Sequence, residues 1–327
     1  MSRPRSRATL LMGVVLIAAL LTGCGGSQSS GGDGLEKKTV TVAALPLVDT
    51  AGLHIAVQRK FFEAEGLRVQ IKPVAQSIQA LPALKTGQVD VIAGGNYVTF
   101  LQAQAQGTLN LRILAPGAAA APRFMGVLTL PNSPIKQAKD LEGRTVAVNI
   151  RNNIQSLSLN AILRADHVDP AKVRYLAIPF PQMGAALQKG QVDAVHAAEP
   201  FATDMTRKLG AKMIVDGGSG PAVAGLPVSG YLSTQRFTDK YPKTAAAFQR
   251  AIQKAQQLAT SDRKQVDQVL PAYAHLDAAT ASALNLPAFP PSIDQVRLQH
   301  LADLMLQDGL LKQRIDVRSL VFAAQPQ

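Results

Sequence analysis

The sequence predicts an α/β protein: two similar three-layer α/β lobes, joined by a two-segment hinge, with a helical C-terminal region packed back on lobe 1. Three observations carry this expectation. The chain repeats itself, since residues 83–93 read ALKTGQVDVIA and residues 186–196 read ALQKGQVDAVH, which sets Asp90 and Asp193 103 positions apart. Strand-like and helix-like periodicities alternate around both copies, the pattern of parallel strands with helices on their faces. A Pro/Gly/Ala stretch at 115–122 and a Gly-rich stretch at 217–225 supply two crossings between the copies. At 327 residues the chain is long enough for two lobes with their own cores.

The elements follow in order. Val40, Val42 and Ala44 lie in a short β-branched apolar run, a first strand with a counterpart at 144–148 in the second copy. Residues 53–62 carry helical spacing, with Gly66 as the stop, and 67–71 alternate as a second strand. Residues 81–85 form a short helix ended by Gly87, and 89–93 a third strand. In the second copy, 154–163 is the helix, 173–178 the strand, 183–189 the next helix ended by Gly190, and 192–196 the strand. Residues 124–130 and 226–233 read as the strands that follow the crossings. Pro242 suits a first helical position, and 245–258 repeats apolar residues at helical spacing. These readings set lobe 1 at 38–122, lobe 2 at 123–225, and the return to lobe 1 with the C-terminal helices at 226–327.

The N-terminus is a targeting segment. Arg3, Arg5 and Arg7 precede an apolar run at 10–21, too short for a spanning helix of about 20 residues but suited to a secretory signal. It ends in Leu21-Thr22-Gly23-Cys24, which resembles the lipobox of bacterial lipoproteins. That resemblance implies cleavage after residue 23 and a diacylglycerol on Cys24, with fatty acyl chains such as palmitate holding the protein at a membrane. Cys24 is the only cysteine, so an intramolecular disulfide and a cysteine-based metal site are excluded. Residues 24–37 are assigned to a Gly/Ser-rich tether. The body is expected outside the cytoplasm.

Composition narrows the function. The net charge is +12, or +9 once the three signal arginines are gone, but no run of five basic residues and no nucleic-acid motif follows the signal. A generally basic surface is the expected meaning, without a nucleic-acid partner. The five histidines, His54, His167, His196, His275 and His300, show no metal-ligand spacing. There is no dinucleotide fingerprint or phosphate loop, and Gly217-Gly218-Ser219-Gly220-Pro221 lacks the final glycine of a nucleophile elbow. No metal, cofactor or catalytic group is expected.

Several segments together carry a family resemblance. They are Ala56-Val57-Gln58-Arg59-Lys60-Phe61-Phe62-Glu63-Ala64-Glu65-Gly66-Leu67, both Gly-Gln-Val-Asp turns, residues 138–148, Glu199-Pro200-Phe201 and Tyr241-Pro242-Lys243. In this order they resemble the type II periplasmic-binding-protein fold, and within it the branch that binds aliphatic sulfonates, nitrate, taurine or thiamine-pyrimidine precursors. The resemblance implies a monomeric extracytoplasmic protein that closes two lobes over one small solute and delivers it to an ABC permease and its ATPase. An enzyme on the same fold, or a surface lipoprotein used for sensing, are the alternatives. Asn149-Ile150-Arg151-Asn152-Asn153 stands where many relatives carry Gly and Ser.

In open α/β sheets ligands sit beyond the carboxyl ends of the strands, where helix N-termini present free N–H groups. Pro46, Asp49 and Thr50 follow the first strand, and Asp49 or Thr50 either caps the next helix or touches solute. Gly94, Gly95 and Asn96 follow the third, as a turn or as a close backbone approach. Asn149, Arg151, Asn152 and Asn153 open lobe 2. Arg151 is either an exposed loop arginine or a bidentate partner for an anionic headgroup; Asn152 and Asn153 are natural caps. Glu199 either occupies a helix N-terminus or accepts hydrogen bonds from an amino group of the solute. His54 and His196 are packing residues or polar cleft residues. Tyr97, Phe124 and Phe201 are available for one stacking contact.

Overall fold

This computed structural model describes residues 34–324; the signal, Cys24 and the tether before residue 34 lie outside them. Ten strands are described: β1 (Thr39–Ala44), β2 (Arg68–Pro73), β3 (Val91–Asn96), β4 (Leu111–Ala119), β5 (Met125–Thr129), β6 (Thr145–Val148), β7 (Arg174–Ala177), β8 (Ala194–Ala198), β9 (Lys212–Asp216) and β10 (Pro227–Thr234). They make two five-stranded sheets, β2-β1-β3-β10-β4 and β7-β6-β8-β5-β9. In each sheet one strand runs against the rest, β10 in the first and β5 in the second. Each is the strand that arrives from the other lobe. Helices cover both sheets, so the predicted two-lobed α/β architecture is the observed one, with residues 120–124 and 217–226 connecting the sheets.

The internal repeat is structural. Thr41 N–H donates to the Asp90 carboxylate at 2.8 Å, and Thr145 N–H donates to Asp193 at the same distance. Asp90 N–H and Asp193 N–H each return a bond to the carbonyl of that threonine, both at 2.9 Å. Each Gly-Gln-Val-Asp turn therefore braces the third strand of its lobe against the first. Lys37 pairs with Asp90 at 2.6 Å and Arg144 with Asp193 at 3.7 Å. A hydrogen bond to a charged group contributes about 1.5–3 kcal/mol, which is reason enough for the motif without a role in binding.

Four local expectations are corrected. The single helix at 53–62 is two, Ala51–Gln58 and Phe61–Ala64, broken at Lys60, whose φ is 57°. Beyond the break Phe62 is buried against Phe248, with ring centroids 5.2 Å apart. Pro116 and Gly117 do not leave the sheet but lie inside β4, an outer strand where proline's missing N–H is tolerated. Their carbonyls accept from Gln256 Nε2 at 2.9 and 2.6 Å. Glu36 and Lys37 are not tether: the Glu36 carboxylate accepts from Thr244 N–H at 3.0 Å, and Lys37 reaches Asp90. Gly94, Gly95 and Asn96 are part of β3 rather than a turn after it. Gly95 has no room for a side chain, since a Cβ would stand 2.5 Å from Leu232 Cδ1.

The C-terminal region is helical, as expected. Its longest helix, Pro242–Ser261, begins at Pro242 and buries Ala245, Phe248, Ile252 and Ala255 along one face. Small residues at helical spacing let it lie close against the helix at 51–58.

Candidate functional site

The two sheets point the carboxyl ends of β1, β3, β6 and β8 at one another, and a cavity lies between them. From lobe 1 it is lined by Leu45, Leu47, Asp49, Ser77, Asn96 and Ser229, among others; from lobe 2 by Phe124, Met125, Asn149, Ile154, Gln155 and Phe180, among others. The cavity volume is about 40 Å³, room for only a few water molecules at roughly 10–15 Å³ each, so the lobes are drawn together. Gln76 Nε2 of lobe 1 donates to the Asn149 carbonyl of lobe 2, and Gln102 Nε2 to the Asn152 carbonyl, both at 2.7 Å.

Asp49 is the only ionisable side chain among the lining residues. It does not cap the helix that follows, because residues 48–50 wind a 3₁₀ turn that runs straight into it and carry the carboxylate inward. Its side chain is 3% exposed, and Ser229 Oγ donates to Oδ2 at 2.6 Å. Oδ1 is buried without a partner. Burial raises the Asp49 carboxyl to about 6, against the smaller opposing effect of the Ser229 bond. Beside it, Gly94 has φ +70°, and a Cβ there would lie 3.6 Å from both carboxylate oxygens. Glycine keeps this side of Asp49 open and permits the left-handed backbone. Thr50 is also no cap. Its hydroxyl lies 2.9 Å from the carbonyls of both Leu45 and Leu47 and fixes the turn.

In lobe 2, Asn153 is the cap: its Oδ1 accepts from Gln155 N–H at 3.0 Å and from Ser156 N–H at 3.4 Å. Gln155 in turn accepts from Asn149 N–H at 2.7 Å and donates to the His196 carbonyl. Both backbone groups of Asn149 are thereby committed, while its side-chain oxygen is buried with no partner. Asn152 takes a φ of 55° and contributes only its carbonyl. Asn96 lines the cavity and caps the helix Tyr97–Ala105 through Thr99 N–H.

Several expected site residues stand elsewhere. Pro46, Thr50, Gly95 and Asn152 are not among the lining residues. Arg151 is exposed and lines an outer groove with Ile78, Lys85 and Gln102. Replacing Arg151 with alanine is accordingly expected to leave solute affinity within about twofold, or ~0.4 kcal/mol, by calorimetry. A tenfold loss would place the arginine in the site after all. Glu199 is fully buried but outside the cavity. Its carboxylate accepts from Thr203 N–H at 3.0 Å and Thr203 Oγ1 at 2.8 Å, and from the Asn285 backbone and side chain at 3.1 and 3.0 Å. It therefore closes a helix N-terminus and ties lobe 2 to the C-terminal region.

His54 stacks on Tyr273 at 3.6 Å, and His196 is wholly buried with both ring nitrogens unpartnered. Burial lowers each to about 4. Both are packing residues. Phe124 lines the cavity, whereas Tyr97 and Phe201 do not; Phe201 instead backs Phe180, their rings 5.4 Å apart and nearly parallel. Among the described residues no group of three or more His, Cys, Asp or Glu is gathered to hold a metal ion.

Comparison with known proteins agrees with this fold. The sequence profile of the family described as "NMT1/THI5 like" matches residues 48–266. A putative aliphatic sulfonates-binding protein of Escherichia coli is 24% identical over 262 residues, 75% of this chain and 76% of that one. The nitrate/nitrite binding protein NrtA of Synechococcus elongatus is 27% identical over 255 residues, 70% of this chain and 57% of that one. Among solved structures, the alkanesulfonate-binding protein SsuA from Xanthomonas axonopodis, bound to MOPS, superposes with a TM-score of 0.74 at 22% identity. That superposition covers 88% of this chain and 99% of the other.

Proposed function

Because this chain belongs to the NMT1/THI5-like family, we propose that it is the extracytoplasmic solute-binding component of an ABC-type importer. It captures a small polar organic or anionic solute of the sulfonate, nitrate, taurine or pyrimidine-precursor type between its lobes and presents it to a permease and ATPase. Cys24 carries the lipid that keeps it at the membrane, and the residues up to 34 are the tether. Likeness to sulfonate- and nitrate-binding proteins supports the role.

The observation that carries this reading is the interlobe cavity: strand ends of both sheets converge on it, and it holds Asp49 and Asn149 with buried, unpartnered acceptors. A single ionisable side chain among the lining residues supports binding rather than catalysis. A cavity this small admits a solute only when the lobes part about residues 120–124 and 217–226. Binding then draws on both lobes at once and shifts the balance toward the closed form, which a permease can recognise.

Native mass spectrometry of the freshly purified body should show a bound small molecule. Small-angle scattering should then show the stripped protein contracting when that molecule is returned. A chain that binds it with no change in radius of gyration would count against hinge closure.

A further inference from the structure

The chemistry of the cavity's single charge narrows the solute. Resting on the solute-binding reading above, we propose that the solute presents an N–H donor to Asp49, as a primary amine, an amidine or an amino-substituted ring does, and that solutes anionic throughout bind poorly. An ionised carboxylate only accepts hydrogen bonds. One oxygen of Asp49 is taken by Ser229; the other is buried and unpartnered, on a residue that lines the cavity. A buried acceptor of this kind is stabilised by a donor and repels an anion.

No lysine, arginine or histidine is among the lining residues to reverse that sign. Arg151, the candidate for an anionic headgroup, stands in the outer groove. Asn149 faces the cavity from the opposite lobe with no partner for its side-chain oxygen, but an amide can turn to offer either end, so it accommodates the solute without choosing it. Phe124 and Phe180 give the cavity apolar walls, suited to a flat or hydrocarbon body behind the donor. With the Asp49 carboxyl raised only to about 6, it is ionised at pH 7.5.

The test is calorimetric titration at pH 7.5 with matched probes: taurine against ethanesulfonate, 4-aminopyrimidine against pyrimidine, and nitrate. In at least one pair the amino member is expected to bind ten times more tightly or better. Asp49→Asn, checked as folded by its melting curve, should erase that preference, while Arg151→Ala, which changes a charge outside the cavity, should retain it. The proposal is overturned if ethanesulfonate, pyrimidine or nitrate binds as tightly as the amino probes, or if Asp49→Asn keeps the preference. Either result leaves the solute-binding role standing. Silence from every probe, with no molecule carried through purification, would count against that role as well.

Discussion

Asp49→Asn is expected to stabilise the protein at neutral pH relative to its stability at pH 4. The Asp49 carboxyl titrates at about 6 when folded, against an ordinary value of 3.8. A carboxyl raised by folding contributes stability that is complete below the unfolded value and is lost as pH rises through the folded one. A rise of this size corresponds to about 3 kcal/mol. The difference in unfolding free energy between variant and wild type should therefore move by about 2 kcal/mol in the variant's favour from pH 4, where the unfolded carboxyl is already partly ionised, to pH 6.5, and change little above. Over the same interval His54 and His196, both held neutral to about 4 by burial, act the other way: their contribution is lost as pH falls from 6.5. Wild type and variant share both histidines, so the difference isolates the carboxylate. Urea unfolding at several pH values measures it, and a difference independent of pH would show that Asp49 is not desolvated as described. A buried, half-satisfied acid lining the cavity is a stability cost, which the proposed binding role for Asp49 would explain.

Glu199→Ala is expected to cost about 3 kcal/mol or more. Its carboxylate accepts four hydrogen bonds, two from Thr203 and two from Asn285, in a fully buried position. Truncation strands these donors at roughly 1–3 kcal/mol each, reduced by whatever water enters the space. For a body of this size about 3 kcal/mol lowers the melting temperature by roughly 6–10 °C. Because Asn285 belongs to the C-terminal region and Glu199 to lobe 2, the loss should also weaken the closed arrangement, seen as a larger radius of gyration without solute. The pairing of Arg164 and Asn160 with Asp308 makes a second tie of this kind and should survive the substitution. A Glu199→Ala protein with unchanged melting temperature would remove the latch from the account.

The repeated Gly-Gln-Val-Asp turns were legible in the sequence because each is a local hydrogen-bonding device that any copy of the unit needs. Strand ends were legible too, and with them Asp49, Asn96, Asn149 and Asn153, since the carboxyl ends of parallel strands must face the cleft. The direction of each side chain was not. Whether Arg151 or Asp49 turned inward depended on a 3₁₀ turn at 48–50 and on the packing of Gln102 against the Asn152 carbonyl. Ser77 and Phe180 carried no signal at all. Ser229 lies 180 positions from the carboxylate it bonds, so only the return of β10 into the first sheet could bring it there.

What the sequence determined by itself was periodicity and repetition: most strands and helices of the repeated unit, that there are two lobes, and that the chain crosses between them twice. These follow from interactions within a few residues or from a pattern that recurs. What only the tertiary structure decided was the electrostatic sign of the cleft. A charge on a loop costs little when solvated and much when buried, and burial is set by the whole of both lobes closing on Asp49 while leaving Arg151 outside.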